Sequence, residues 1–547
     1  MPAMKIRPWI VQKYGGTSIG KLLNTITGSI IPEHLQLYNV AVVCSARSGT
    51  SKSKGTTSLL LDAIRLATSS ETSTVELDQV INVIKEEHLA AAHIAVRERE
   101  QQKDRVIFEK LQQDIEKECE HLRSFLKAAW TIGEISERTQ DRVLAVGEKL
   151  SCRILVASLM TNGVDAEVVL LDDIVQQTYG PSHRDQIKAY RRHPSEFLSA
   201  LSTTIQIKIS KCISKVPVIT GFFGAMPESL LHSVGRGYSD LCAALCAAAL
   251  SAEELQIWKE VDGIFTADPG KMKSARLLAT VTSEEAAELT YYGSEVIHPL
   301  TIEQISNASI SLRLKNVKNP LGAGTIIYPS SSSPGASPAP SSQHLPLSAA
   351  ELTLHGRESA NAKSVFMASN GYYGSTQYRR SPTAVTIKEA ITVFNIRSNG
   401  RAKPQMFLAQ IAERLARHDL TIDLISSSQQ MISLAASSSN DGTGIDEAAV
   451  ELEEIGVVSL ARHMSIVSVV GHKMRNMVGV AGEIFSSLAS ARINIYLISQ
   501  GASEINISFV VKAQEALLAM EVVHTNVMRI PLHSEQENNF IKGPWLY

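Results

Sequence analysis

The chain has 547 residues, 44% hydrophobic and 20% charged, which suits a soluble globular protein of roughly three or four domains. Its formal net charge of −2 argues against a general nucleic-acid-binding surface. No apolar run is long enough to span a bilayer. Met1 to Pro8 lacks the apolar core of a signal peptide. The six cysteines form no Cys-x-x-Cys pair, so neither a zinc site nor a disulfide framework is indicated, and a reducing cytoplasm fits best.

Trp9 to Gln12 predicts a buried strand that delivers Lys13-Tyr14-Gly15-Gly16-Thr17-Ser18 to one turn. Glycines let backbone amides approach a phosphate closely, and a lysine there faces the charge that develops in phosphoryl transfer. The competing reading is an ordinary strand-to-helix turn. Gly15 to Lys21 imitates a Walker loop, but Leu22 stands where that loop needs a hydroxyl for magnesium, so the P-loop reading is rejected and Lys13 is the candidate.

Asn39 to Cys44 predicts a second strand, which places Ser45 at its carboxyl end, where ligands gather in α/β sheets. A Gly/Ser/Thr/Lys-rich loop then runs to Thr57. Residues 72 to 150 read as a charged helical lobe, and Glu148 after Gly147 is placed at a helix start, either to meet a substrate amino group or to complement the helix dipole. Ala166 to Leu170 and Val216 to Thr220 predict further strands, the second running into Gly221-Phe222-Phe223-Gly224. Val234-Gly235-Arg236-Gly237-Tyr238-Ser239-Asp240 precedes a helix of small residues. Arg236 offers a fork for a carboxylate, while Ser239 and Asp240 are either site residues or caps. Gln256 to Lys259 leads into Glu260-Val261-Asp262-Gly263-Ile264-Phe265-Thr266-Ala267-Asp268-Pro269-Gly270-Lys271, patterned as a nucleotide-binding loop. Pro329 to Ser342 is Ser/Pro/Ala-rich and expected to be disordered, with low order reaching about Pro382. The remainder reads as a β-α-β-β unit repeated, with Asp423-Leu424-Ile425-Ser426 matching Tyr496-Leu497-Ile498-Ser499.

In this order the blocks resemble the aspartate kinase (aspartokinase) family over nearly the whole chain apart from the linker, and the linker and Tyr238 look most like its fungal branch. The resemblance implies a three-layer αβα amino-acid kinase fold, residues 8–328, a linker, 329–385, and two α+β (ferredoxin-like) ACT domains, 386–460 and 461–535. It implies transfer of a phosphoryl group from ATP, with Mg2+, to L-aspartate, giving 4-phospho-L-aspartate on the way to threonine, methionine and isoleucine. By resemblance Lys13 stabilises the phosphoryl group beside Tyr14, Gly15 and Gly16. Asp240 orients Lys13 and the metal shell, without a direct protein metal ligand being assigned. Arg236 takes the substrate α-carboxylate and Glu148 its ammonium, and Ser45, Thr57, Phe222 and Ser239 complete the pocket. Lys259, Glu260, Phe265, Asp268 and Lys271 fall on the nucleotide side.

One departure is Glu295, where bacterial relatives have a lysine; Lys259, Lys271, Lys273 or magnesium is expected to compensate. ACT pairs bind amino acids between modules, which nominates Arg401 to Phe407, Asp423, Ser427, Ser428, Gln429 and Gln430. Threonine is the expected effector, substitutions at Ser428 or Gln430 are expected to relieve inhibition, and a homodimer or higher homo-oligomer through the ACT domains is implied. The competing readings are another amino-acid kinase and a non-catalytic amino-acid sensor.

Overall fold

A computed structural model describes residues 7–49, 55–69, 74–96, 102–212, 214–227, 237–292, 297–329, 382–400, 404–428, 430–438, 444–472, 474, 477–501 and 505–530. The expected disordered stretch from Pro329 to about Pro382 lies almost wholly outside them. The chain divides into two compact units, Met1–Gly263 with Ile297–Ser330, and Ile264–Val296 with Ser331–Tyr547.

The first unit is built on a mainly parallel sheet. Its strands are β1 (Trp9–Tyr14), β2 (Asn39–Cys44), β3 (Ala166–Val169), β4 (Val216–Thr220), β5 (Glu254–Lys259), β6 (Ser311–Asn316) and β7 (Thr325–Tyr328). Within this unit they lie in the order β3-β4-β2-β1-β5-β6-β7, with β7 antiparallel to β6 and the other pairings parallel. Both faces are covered, so the strands read as apolar runs rather than as alternation. Ile10, Tyr14, Val40, Val42 and Cys44 pack with the helix Glu137–Thr161 and the lobe Thr74–Ala95 and Gln102–Ile132. The helix Tyr238–Leu250 lies on β1, β2 and β5, beside helices Pro194–Ile209 and Pro299–Asn307. Val11, Ala41, Val43 and this helix's Ala243, Ala244 and Ala247 are completely buried. The carboxyl ends of β1, β2, β4 and β5 therefore share one edge, the edge at which open α/β sheets bind ligands.

The second unit contains the helix Ser283–Tyr291 and a sheet of six strands: β8 (Ala384–Ser398), β9 (Leu420–Ser427), β10 (Met431–Ser438), β11 (Gly456–Val470), β12 (Leu497–Ser499) and β13 (Asn506–Lys512), in the order β9-β10-β8-β11-β13-β12. The expected β-α-β-β repeat is present but incomplete as a description. Each module has a second helix, Ile445–Glu453 in one and Ala516–Asn526 in the other, and a fourth strand. That strand is shared out of the 15-residue strands β8 and β11, which pair along their whole length. The first half of β8 and the second half of β11 serve the later module, and the other halves the earlier one. A boundary at residue 460 thus falls inside β11, and β8 starts at Ala384, within the span read as linker.

Side-chain parity changes where the modules meet. Val385 and Ile387 share a core with Val467, Val469, Ile507 and Phe509 beneath helices Val480–Ser490 and Ala516–Asn526. Beyond Ala390 the inward residues are Phe394 and Ile396, packed with Leu434 beneath helices Pro404–Arg417 and Ile445–Glu453. A one-residue irregularity in each of the two strands swaps odd for even positions, so both helix pairs cover the same face of one continuous sheet.

Candidate active site

Strand alternation sends Lys13 to one face of β1 and its neighbours Gln12 and Tyr14 to the other. On the latter face Tyr14 donates to Gln12 Oε1 at 3.0 Å, Gln12 Nε2 to Gln256 Oε1 at 2.9 Å and Gln256 Nε2 to Glu254 Oε1 at 2.9 Å. Arg313 Nε reaches both Glu254 oxygens at 2.9 Å. This buried ladder ties β1, β5 and β6 together. On the opposite face Lys13 Nζ lies 2.6 Å from Asp240 Oδ1, with the two side chains only 9% and 7% exposed.

Asp240 stands in the first turn of helix Tyr238–Leu250, whose N-cap is Gly237, with φ 107°, and which carries no side-chain cap. The capping alternative for Ser239 and Asp240 therefore fails, and their side chains are engaged elsewhere. Ser239 Oγ meets Ser45 Oγ at 2.7 Å, joining the ends of β2 and the helix. Gly221 makes that approach possible. A Cβ there would lie 2.6 Å from Ser239 Cβ and 3.0 Å from Glu148 Oε1, so only a glycine fits between them. Gly16 has a similar duty, because a Cβ would stand 2.0 Å from the Ala46 carbonyl oxygen. Gly15 has open space beside it, leaving its backbone approachable. Of the two glycines expected beside a phosphate, Gly16 is thus committed to packing the β2 loop.

Glu148 is not at a helix start. It lies deep inside helix Glu137–Thr161, beyond the first turn where the dipole acts, so the dipole alternative is excluded. Its side chain is buried; the Tyr238 hydroxyl and the Phe222 backbone N–H donate to it. Oε2 has no hydrogen-bond partner among the described residues. Burial pushes the carboxyl up to about 8, and the bonds from Tyr238 and Phe222 and the charge of Lys13 offset this only in part. The result is a desolvated acid with one oxygen ready for a cation. Tyr238 is the contact that reading the chain did not assign; its position two residues before Asp240 was the available signal. Phe222 is 2% exposed. Thr57 is half-buried in the first turn of helix Thr56–Thr68, while its neighbour Thr56 is buried. Arg236 and Glu295 lie outside the described residues.

The nucleotide-side candidates divide between the units. Lys259 ends β5 in the first and Glu260 follows it, pairing with Lys318 at 3.1 Å. Phe265, Asp268 and Lys271 belong to the second. There Asp268 Oδ1 accepts from the Gly270 N–H at 2.8 Å, which shapes the turn, and Lys271 pairs with Glu389. Thr266 accepts from the Val385 N–H at 2.9 Å through its carbonyl, and its hydroxyl meets His524 Nε2 at 2.9 Å.

Among the effector candidates, Asp423 is enclosed and paired with Lys388. Phe407 is 3% exposed and belongs to the module core, so its side chain packs rather than faces a ligand. Ser428 Oγ lies 3.2 Å from both the N–H and the carbonyl of Met431, closing the β9–β10 turn, and Ser427 and Gln430 are exposed. Arg401 and Gln429 lie outside the described residues.

The buried Lys13–Asp240 pair and the buried Glu148, whose Oε2 alone has no partner among the described residues, stand at the carboxyl edge of a parallel sheet. Residues 8–316 match the Amino acid kinase family model and residues 467–527 the ACT domain model. The aspartokinase of Candida albicans is 43% identical over 95% of this chain and 90% of its own length. That of Schizosaccharomyces pombe is 41% identical over 98% and 97%. Escherichia coli aspartokinase III in complex with lysine and aspartate has the same fold, with TM-score 0.68 and 22% identity over 95% of this chain and 99% of that one. The chain belongs to the amino acid kinase family, within its aspartokinase branch.

Proposed function

We propose that the chain phosphorylates the β-carboxylate of L-aspartate with ATP, yielding 4-phospho-L-aspartate and ADP, the step that commits aspartate to threonine, methionine and isoleucine. The observation that carries this is the enclosed Glu148 carboxylate, with Oε2 unpartnered, at the same sheet edge as the Lys13–Asp240 pair. An acid in that state suits a substrate ammonium, and a fixed lysine suits a transferring phosphoryl group.

The acceptor carboxylate is already ionised at neutral pH, so the reaction needs no general base. It needs alignment and charge stabilisation. Glu148 holds the ammonium of aspartate, Arg236 its α-carboxylate, and Ser45, Ser239 and Phe222 bound the pocket. Lys13 neutralises charge on the phosphoryl oxygens while Asp240 holds its ammonium in place, and the Gly15 backbone is open to the phosphate chain. Lys259 and Glu260 serve the nucleotide. Among the described residues no cluster of three acids, cysteines or histidines forms a metal cage. Magnesium fits here as the nucleotide's own ion, held chiefly by phosphate oxygens and water, with Asp240 the buried carboxylate nearest the reacting lysine. When bound, it supplies further neutralisation of phosphate charge.

The ACT modules bind an amino-acid effector, threonine in this reading, near Asp423 and the Ser427–Gln430 turn, in a homodimer or higher homo-oligomer. The setting is the cytoplasm; no described helix is long and apolar enough to cross a membrane. ATP-dependent hydroxamate formation tests the reading. Aspartate should be the preferred acceptor over glutamate and N-acetylglutamate, and threonine should suppress the signal. Equal turnover of the three acids would reject it.

A further inference from the structure

Asp423 occupies an irregular place in its strand. The β9–β10 register shifts between Ile422 and Leu424, and Asp423 is the residue left without a partner on β10. A bulge of this kind re-aims a side chain. The Asp423 side chain is 0% exposed, and Oδ1 lies 2.5 Å from Lys388 Nζ. Oδ2 is buried and has no hydrogen-bond partner among the described residues. The Tyr291 hydroxyl hydrogen-bonds the same carboxylate, and Lys388 Nζ stands 5.1 Å from the centre of the Tyr291 ring. Tyr291 is the last residue of helix Ser283–Tyr291, which lies within the family's kinase segment but belongs to the same compact unit as the ACT modules.

The next residue is anchored too. Tyr292 enters the apolar cluster of Ile391, Val393, Leu424, Met464 and Ile466, and its carbonyl accepts from Thr386 Oγ1 at 3.0 Å. One residue beyond Lys388, Glu389 pairs with Lys271 of the nucleotide-side loop. Glu389 is 64% exposed there, so that pair contributes little by itself. The Asp423 carboxylate is different, since it is enclosed and a desolvated carboxylate cannot lose its cation without replacement.

We propose that Asp423, Lys388 and Tyr291 form the coupling element through which an amino-acid effector acts on phosphoryl transfer. The effector's ammonium takes over Asp423 and frees Lys388. The Tyr291 hydroxyl and ring then lose their present partners, and the end of helix Ser283–Tyr291 shifts. This helix precedes, in the chain, the return to the catalytic unit at Ile297. This rests on the reading that the effector binds at Asp423. It adds that Tyr291, which serves neither substrate nor nucleotide, converts occupancy into inhibition. An effector inhibits only by its differential affinity for two states, and this triad is where the two states differ.

The test is Tyr291→Phe, which keeps the ring beside Lys388 and removes the hydroxyl, set beside Asp423→Asn in the full-length protein. L-threonine, L-methionine, L-isoleucine, L-lysine and L-homoserine are each titrated by calorimetry and in the kinase assay. The expected result is that Tyr291→Phe keeps basal kcat and KM, binds its effector within about threefold of the parent, and needs about tenfold more of it for half-inhibition, a loss of coupling of ordinary size. Asp423→Asn should lose both binding and inhibition. Inhibition of Tyr291→Phe at parental concentrations, with binding lost in Asp423→Asn, overturns the coupling role and leaves the effector site standing. Loss of binding in Tyr291→Phe makes Tyr291 part of the pocket and also overturns it. Parental binding and inhibition in Asp423→Asn, or no binding of any of the five to the parent, overturns both readings.

Discussion

Ala390 and His463 sit at two adjacent register shifts between β8 and β11, one in each strand, and each holds a left-handed φ of 57°. Neither is glycine, so each carries strain of about 1–2 kcal/mol. The pairing along the full strands and the two cores on either side maintain it. The two shifts keep both helix pairs on one face of the sheet. Deleting Ala390 should invert parity for one module and turn Phe394 and Ile396 away from their helices. The expected outcome is loss of cooperative unfolding of the C-terminal unit and of effector binding, read by calorimetry. A soluble, effector-responsive deletion variant would show the shift in β8 to be dispensable.

The buried Lys13–Asp240 pair makes stability and catalysis separable. Lys13→Ala leaves an uncompensated enclosed carboxylate, which costs about 3–5 kcal/mol. The double variant Lys13→Met with Asp240→Asn removes both charges and should regain most of that loss in urea unfolding. Both variants should be inactive in the hydroxamate assay. Activity near the parent's in the double variant would remove Lys13 from the mechanism.

Glu148 has its carboxyl pushed up to about 8 by burial. An acid raised above its unfolded value favours the folded protein most at low pH, and that stability is lost as pH rises through the folded value. Glu148→Gln should therefore raise the melting temperature of the ligand-free protein relative to the parent at pH 8.5 and change it less at pH 6. For the parent, KM for aspartate should fall between pH 7 and pH 9 as the carboxylate ionises. In Glu148→Gln that dependence should vanish and KM should rise at least about tenfold, the cost of a lost charge-assisted bond. An unchanged KM would displace Glu148 from the ammonium site.

Gly15 and Gly16 are adjacent but answer to different neighbours. With a Cβ 2.0 Å from the Ala46 carbonyl, Gly16→Ala must push the Ser45–Arg47 segment away. It should lower thermal stability and kcat together. Gly15→Ala meets nothing within 4 Å in the structure and should leave the melting temperature within a few degrees, so any loss appears in KM for ATP. Equal destabilisation by the two would contradict the packing assignment.

Much of this was legible in the chain because the signals are local. Val11, Val40 to Val43 and Val216 to Ile219 sit in short apolar runs, and a parallel strand buried on both faces can hardly look otherwise. The nomination of Lys13, Glu148, Ser239 and Asp240 rested on residue type beside a turn and on family resemblance. Glu148 showed the limit. A Gly–Glu pair reads as a helix start, yet the helix runs through it because burial against the sheet outweighs the weak helix propensity of one glycine. Phe407 showed the same limit in reverse, since its place at the start of a helix could not say which way its ring would point.

The sequence by itself determined the elements, the order of the phosphoryl-transfer blocks and the presence of two related C-terminal modules, because periodicity and residue chemistry act over a few neighbours. Only the tertiary structure decided that Asp240 answers Lys13, that Tyr238 answers Glu148, and that β8 and β11 each serve both modules. It also decided that the segment from Ile264 to Tyr292 falls in the same compact unit as the C-terminal modules. The physical reason is that these are pairings between surfaces distant in the chain. They are selected by which buried charge finds a partner and which apolar face finds cover once the whole polypeptide has collapsed.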